Sequence, residues 1–349
     1  MTGKRTDGEI LEGEGPPLED KVAFLSSPAS YRGVEQVEAK ETRMAWVFLA
    51  GDRVYKMKKP VRYPYLNYST PENRRRICET ELRLNRRLAP DVYLRVVPMT
   101  AEDGGLAIDG TGKVVDWMVV MRRLPRERLL ESAIEAGAVT STDIERVADR
   151  LAVFYRGLPA EEIVPQDRVE AILGELDKGL EVLGEAEFGA IADRGRAAMV
   201  RLREMLGKDP GIVTGRAMAG RIVEGHGDLR PEHVCLTDPP VMIDCLEFSR
   251  DLRLVDPFDE LAFLAMECAA IGAPWIGPVL LGRCAEALAD RPSARQLAFY
   301  TAYRATLRAR QSLEHLLEPE PREPEKWQPK ARSYLAEAER ALTVLGSRG

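Results

Sequence analysis

Asp228 and Asp244 bracket a stretch whose residue types could carry phosphoryl-transfer chemistry. From His226 the chain reads H-G-D-L-R-P-E-H-V-C-L, then T-D-P-P, then V-M-I-D-C-L-E-F, and D-P-F-D-E-L-A follows from Asp256. Residues 234–236 and 241–243 are short apolar runs, and Thr237-Asp238-Pro239-Pro240 between them is turn chemistry. A hairpin of that length brings the residue before its first strand close to the residue that ends its second. One carboxylate can then hold an acceptor hydroxyl and the other a metal ion on a nucleotide phosphate. Phosphoryl transfer needs such a pair, because positioning and charge neutralisation supply most of its catalysis. Asp228 is the candidate base, Asp244 the candidate magnesium ligand, and Arg230 the candidate cation for the transferred group. His226 reads as a support of the loop, and Asp259 as the acid that holds the loop's backbone N–H groups from below.

The elements that must position these residues come in a definite order. Residues 18–25 suit a short helix, and 34–38, 46–50 and 53–58 suit strands, with Gly51-Asp52 as a two-residue turn. Thr70 caps a helix with Pro71 at its first position, running to about residue 88. Two more strands are expected at 92–99 and 114–121, with a short one in the Gly-rich 104–112. Beyond Pro125 the pattern is helical: a capping box at Thr142…Glu145 opens one helix, and 168–206, 259–270, 292–317 and 330–345 follow. The Pro- and charge-rich run 318–329 reads as a loop. Strands first and helices afterwards mean segregated α+β layers.

Glu81 lies four after Ile77 and three before Leu84, inside the apolar stripe of its helix. A carboxylate there is costly unless paired, and a buried lysine would relieve the cost. Lys56 and Lys58 share one face of the strand 53–58 and both qualify; Lys56 is favoured because Val54-Tyr55 precedes it, whereas Lys58 adjoins Lys59-Pro60. Tyr300, Arg304 and Arg308 are spaced by four on one helix face. That face either lines a site for an anionic or hydroxylated acceptor or is a solvated basic surface.

The segment around His226, Gly227, Asp228, Asp244 and the D-P-x-x-D-L-A run resembles the catalytic core of aminoglycoside phosphotransferases and related small-molecule kinases, which share the protein-kinase fold. From residue 46 to about 310 the chain is similar to a standalone bacterial branch of such proteins. The resemblance implies a two-lobed α+β protein-kinase-like fold, with a small antiparallel-sheet N-lobe and a large, mostly helical C-lobe. The expected division is a disordered tail at 1–17, an N-lobe at 18–124 and a C-lobe at 125–349. It further implies ATP as phosphoryl donor and Mg²⁺ as its metal, with Mn²⁺ as the alternative. Lys56 and Glu81 would fix the nucleotide phosphates, and the backbone near Met121 and Arg123 would meet the adenine edge. A polar loop at 39–44, which lacks glycine, would cover the phosphates. One position departs from the family pattern: His233 stands where the family carries a metal-binding Asn. His233 could ligate metal through nitrogen, the second metal could be lost, or the chain could bind nucleotide with little turnover, as a pseudokinase or regulatory protein.

Bulk properties narrow the partners. The 349 residues are 45% hydrophobic and 30% charged, with a net charge of −6, which gives no general affinity for nucleic acid or anionic membranes. Five scattered cysteines without a C-x-x-C pair suit buried thiols in a reducing cytoplasm. The N-terminus M-T-G-K-R-T-D-G-E has no apolar stretch behind its basic residues, and no run approaches the about 20 residues of a membrane span. There is no G-x-x-x-x-G-K-[ST] loop. The expected partners are a nucleotide and a small-molecule hydroxyl acceptor; only a few residues separate Asp244 from Asp256, too few for the activation segment a peptide substrate needs.

Overall fold

A computed structural model describes residues 9–10, 15–63, 66–184, 188–318 and 320–346. Of the tail expected over 1–17, residues 1–8 and 11–14 lie outside the described residues; Glu9–Ile10 form a short strand antiparallel to Val61–Tyr63. The chain divides into two compact units, residues 1–126 with 241–251, and residues 127–240 with 252–349.

The first unit opens with helix α1 (Leu18–Ser26) and strands β1 (Val37–Glu41), β2 (Ala45–Ala50) and β3 (Arg53–Lys58). Helix α2 (Pro71–Asn85) follows, then β4 (Tyr93–Glu102), β5 (Gly105–Ile108) and β6 (Lys113–Arg122). The six strands form one antiparallel sheet in the order β1-β2-β3-β6-β4-β5. Gly51, at φ +58°, makes the β2–β3 turn in a conformation that favours glycine. β6 lies inside the sheet, and residues 118–121 are continuously buried. β1 lies at the edge; it carries Glu38, Lys40 and Glu41 outward, which discourages pairing with another chain. It starts three residues later than the sequence pattern suggests. Leu25, Phe48, Met57, Met99 and Met118 form the apolar centre.

A buried ionic staple ties α1, α2 and β6 together. Asp116 on β6 accepts from Arg74 Nε at 2.6 Å and Nη2 at 3.0 Å, and from Lys21 Nζ at 2.8 Å. All three side chains are buried. Removing the carboxylate strands two cations, a loss of about 3–5 kcal/mol. Asp116→Ala should show that loss in urea denaturation, whereas an unchanged midpoint would mean water enters and solvates Arg74 and Lys21.

The second unit is helical: α3 (Leu130–Glu135), α4 (Ser141–Arg156), α5 (Pro165–Val182), α6 (Gly189–Lys208), α7 (Gly211–Met218), α8 (Pro257–Ala270), α9 (Ile276–Ala287), α10 (Ala294–Glu314) and α11 (Pro324–Gly346). α8 is buried on every side from Pro257 to Cys268 and packs on α9, α10 and α11. Four sequence expectations are corrected here. The capping box of α4 is Thr140 with Asp143, two residues earlier than Thr142 with Glu145. α7 and α9 were not foreseen. The run 318–329 is only partly a loop, since α11 begins at Pro324 and contains Pro329. Proline at a first helical position costs nothing, because that N–H has no partner in a helix. Among the described residues no helix is long and apolar enough to cross a membrane.

Candidate active site

In the first unit, β3 presents two lysines to one carboxylate. Lys56 Nζ lies 2.8 Å from Glu81 Oε1 and Lys58 Nζ 2.6 Å from Oε2. Glu81 is fully buried on α2, where the stripe argument put it. The two lysines differ in their second partners. Lys58, 2% exposed, pairs with Glu247 at 2.5 Å; Lys56, 14% exposed, pairs at 2.6 Å with Asp244, which is 43% exposed. Period-two alternation puts both on one face, and depth separates them: Lys56 reaches the accessible end and Lys58 the sealed end. Burial works against the Lys56 charge, yet Asp244 and Glu81 outweigh it and hold the ammonium protonated well above the ordinary lysine value. At Glu247 burial acts upward, and Lys58 and Lys56 prevail, holding its carboxyl below the usual range.

Asp244 is placed by backbone bonds on both sides of it. Its own N–H donates to the Tyr93 hydroxyl at 3.0 Å, and the Cys245 N–H donates to Asn85 Oδ1 at 2.8 Å. Asn85 Nδ2 in turn donates to the Glu81 carbonyl at 2.9 Å, so one turn of α2 orients both carboxylates around Lys56. Asp244 has φ +60°, a left-handed conformation in which Asp is among the better-tolerated side chains. Asn85, Tyr93 and Glu247 were missed from sequence. Asn85 could have been found, since a polar residue four after Glu81 shares its buried face.

Of the loop expected over 39–44, residues 39–41 belong to β1, and 42–44 close as a turn in which Thr42 Oγ1 donates to the Ala45 carbonyl at 2.9 Å and accepts from its N–H at 3.0 Å. Glu41 is paired with Lys59. At the end of β6, the Arg122 N–H donates to the Val92 carbonyl and the Arg123 N–H to the Asp52 carbonyl, at 2.8 and 2.9 Å. Met121 is buried in the sheet.

In the second unit, residues 226–233 form a loop braced from beneath. Glu260 on α8 accepts from the His226 N–H at 3.0 Å and the Gly227 N–H at 2.5 Å, and Tyr155 donates to its other oxygen at 2.5 Å. Gly227 has φ +89°, which a side chain would strain. The brace corrects the expectation for Asp259. That carboxylate instead holds Arg304 through two 2.8 Å bonds, and its neighbour supports the loop. Glu260→Ala leaves two buried N–H groups and a hydroxyl unpaired, at about 1–3 kcal/mol each. Urea titration should show at least one such increment, and a neutral result would mean the loop is held elsewhere.

Asp228 is 28% exposed and lies 2.9 Å from Arg230 Nη2. Arg230 also pairs with Glu232 at 2.6 Å, so its guanidinium spans two carboxylates. Burial acts to raise the Asp228 carboxyl, but Arg230, His233 and Arg308 outweigh it and hold it below the ordinary aspartate value. His226 Nδ1 accepts from the Asp228 N–H at 3.3 Å. His233 Nδ1 lies 2.8 Å from the Asp228 carbonyl, and a carbonyl only accepts, so Nδ1 carries a proton. In the neutral ring Nε2 then holds the lone pair, 3.4 Å from Arg230 Nη2. Arg308, like Arg304, is committed: it pairs with Glu267 at 2.6 Å.

No family model matches the chain. A protein of Mycobacterium tuberculosis carrying only the description "uncharacterized" is 33% identical over 277 residues, 78% of this chain and 54% of its own length, and a Mycobacterium bovis protein matches equally. The chain thus spans about half the length of these curated relatives. An aminoglycoside 3'-phosphotransferase of Streptomyces ribosidificus is 26% identical over 240 residues, 60% of this chain and 85% of that protein. Among solved structures, a choline/ethanolamine kinase family protein from Mesorhizobium loti superposes with TM-score 0.54 and 16% identity over 94% of both chains. A choline kinase from Streptococcus pneumoniae gives 0.53 and 17%, covering 95% of this chain and all of its own. The fold is therefore the two-lobed α+β protein-kinase-like fold, with an antiparallel-sheet N-lobe and a mostly helical C-lobe. Sequence similarity to the aminoglycoside 3'-phosphotransferase, together with this fold, supports kinship with aminoglycoside-phosphotransferase-like proteins.

Proposed function

We propose that the chain is an ATP-dependent phosphotransferase that moves the γ-phosphoryl group to a hydroxyl of a small molecule. The observation that carries this reading is the Lys56 ammonium held between buried Glu81 and half-exposed Asp244. A lysine fixed from behind by a carboxylate is oriented for phosphate oxygens. In this reading the adenine amino group meets backbone carbonyls near Met121 and Arg123, since the Arg122 and Arg123 N–H groups are engaged by the Val92 and Asp52 carbonyls. Asp228 takes the acceptor's proton while the acceptor oxygen bonds to the γ-phosphorus. The bond from that phosphorus to its bridging oxygen breaks, and ADP leaves with the electron pair. Arg230 sets a guanidinium beside Asp228, where it can neutralise the phosphoryl group in transfer.

Magnesium, when bound with the nucleotide, neutralises charge on the β- and γ-phosphates. Among the described residues no three His, Cys, Asp or Glu side chains gather as a metal site. In this reading Asp244 would be the hard oxygen donor for magnesium, beside the substrate phosphates. His233 donates its Nδ1 proton to a carbonyl, as metal-binding rings commonly do, and its nitrogen suits manganese better.

Label transfer from γ-labelled ATP to a panel of sugars, amino alcohols, hydroxy acids and nucleosides tests the reading. Transfer in the native chain that disappears in Asp244→Asn is expected. Native chain that binds ATP and labels nothing would favour a nucleotide-binding regulatory protein, the reading that His233 in place of asparagine supports. His233→Asn then decides: gained turnover marks a degraded site, and lost turnover marks a working imidazole.

A further inference from the structure

The second unit contains a cation that the sequence pattern did not single out. Lys330 lies in the second turn of α11, four residues before Tyr334 and therefore on its face. The buried Tyr334 hydroxyl donates to Glu267 at 2.7 Å and accepts from Arg308 Nη2 at 3.3 Å. These bonds join three helices: α8 with Glu267, α10 with Arg308, and α11 with Tyr334, one turn beyond Lys330; α8 also packs on the 231–233 turn of the loop that carries Asp228, Arg230 and Glu232. Both arginines have carboxylate partners within 2.9 Å. Lys330 is partly buried, yet it makes no hydrogen bond or ion pair with any described residue. Burial and then Arg308 depress its pKa below the ordinary lysine value, with Arg230 adding to them, against Glu232 and Glu267. The remaining nearby carboxylate, Glu131 on α3, also makes no ion pair with a described residue. Burial and Glu232 push its carboxyl upward, and Lys330 acts against them.

An unpaired ammonium grouped with two guanidiniums is costly, and an incoming anion relieves that cost with charge-assisted bonds. We propose that Lys330 binds an anionic group, a carboxylate or phosphate, of the phosphoryl acceptor, so that the acceptor is a hydroxylated anion. The proposal rests on the phosphotransferase reading for the word acceptor, and on the unpaired lysine for the anion.

Two measurements on the full chain separate these supports. In the first, γ-labelled ATP is offered with glycerate, glycerol phosphate, choline and an aminoglycoside. Label is expected in glycerate or glycerol phosphate, and which of the two distinguishes carboxylate from phosphate. Lys330→Met should raise KM for that acceptor on the order of 10- to 100-fold with kcat nearly unchanged, and Lys330→Arg should restore it. In the second, inorganic phosphate and glycerate should raise the melting temperature of the native chain more than that of Lys330→Met. Label in choline or the aminoglycoside, with equal anion shifts in both proteins, would overturn the anion site and leave the phosphotransferase standing. A Lys330-dependent anion shift with no label anywhere would remove the phosphotransferase and leave the anion site. Equal shifts with no label would overturn both.

Discussion

Asp228→Asn is expected to slow phosphoryl transfer by on the order of 10²- to 10⁴-fold, the usual worth of a positioned general base. Nucleotide binding should be retained, because Asp228 lies in the second unit and the Lys56 group in the first. The loop should also hold, since Glu260 still takes the His226 and Gly227 N–H groups and Arg230 keeps Glu232. The pH dependence has a definite sign. A base works deprotonated, and the Asp228 carboxyl is held below its ordinary 3.8 by Arg230, His233 and Arg308 acting against burial. Any acid limb of the native rate that comes from this group should therefore have its midpoint below that ordinary value. Any stability it contributes is likewise present above the unfolded value and lost as pH falls through the lower folded one. Steady-state kinetics on both proteins check this; an Asp228→Asn chain that transfers at the native rate would remove Asp228 from the chemistry.

The second large effect is a division of labour between Lys56 and Lys58. Lys58→Met leaves Glu81 and Glu247 buried with less compensation, at about 3–5 kcal/mol. Lys56→Met costs less, because Lys58 still faces Glu81 and the other partner, Asp244, is reached by water. It should nevertheless reduce transfer by on the order of 10²-fold or more, through the lost phosphate contact. Urea denaturation together with heat protection by Mg·ATP separates the two: Lys58→Met shifts the first and Lys56→Met abolishes the second. The reverse pattern would assign the phosphate contact to Lys58.

The ease with which these residues could be read differs for physical reasons. Glu81 was legible because a carboxylate in an apolar helix stripe demands a cation, and Lys56 because strand alternation offered one. Glu260 was not. It adjoins Asp259, and one residue is a rotation of about 100° on a helix, so only the packing of α8 decides which carboxylate faces the loop. Tyr93 and Asn85 hold residues more than a hundred positions away, which no local pattern encodes. α9 went unread because Gly277, Pro278 and Gly282 interrupt it; it packs on α4 and α8, and tertiary packing overrides that weak propensity. Arg304 and Arg308 were correctly placed on one face, but their salt-bridge partners on α8 lie outside any spacing rule. Lys330 became visible only once those arginines were seen to be paired.

The most direct test of phosphoryl transfer is phosphorus-31 NMR of the full chain with Mg·ATP and a hydroxylated acceptor. The γ-phosphate resonance should decline while a new phosphomonoester resonance grows in equal amount, and Asp228→Asn should suppress both changes. Loss of the γ-phosphate solely to inorganic phosphate, or a spectrum unchanged over hours across every acceptor offered, would contradict it.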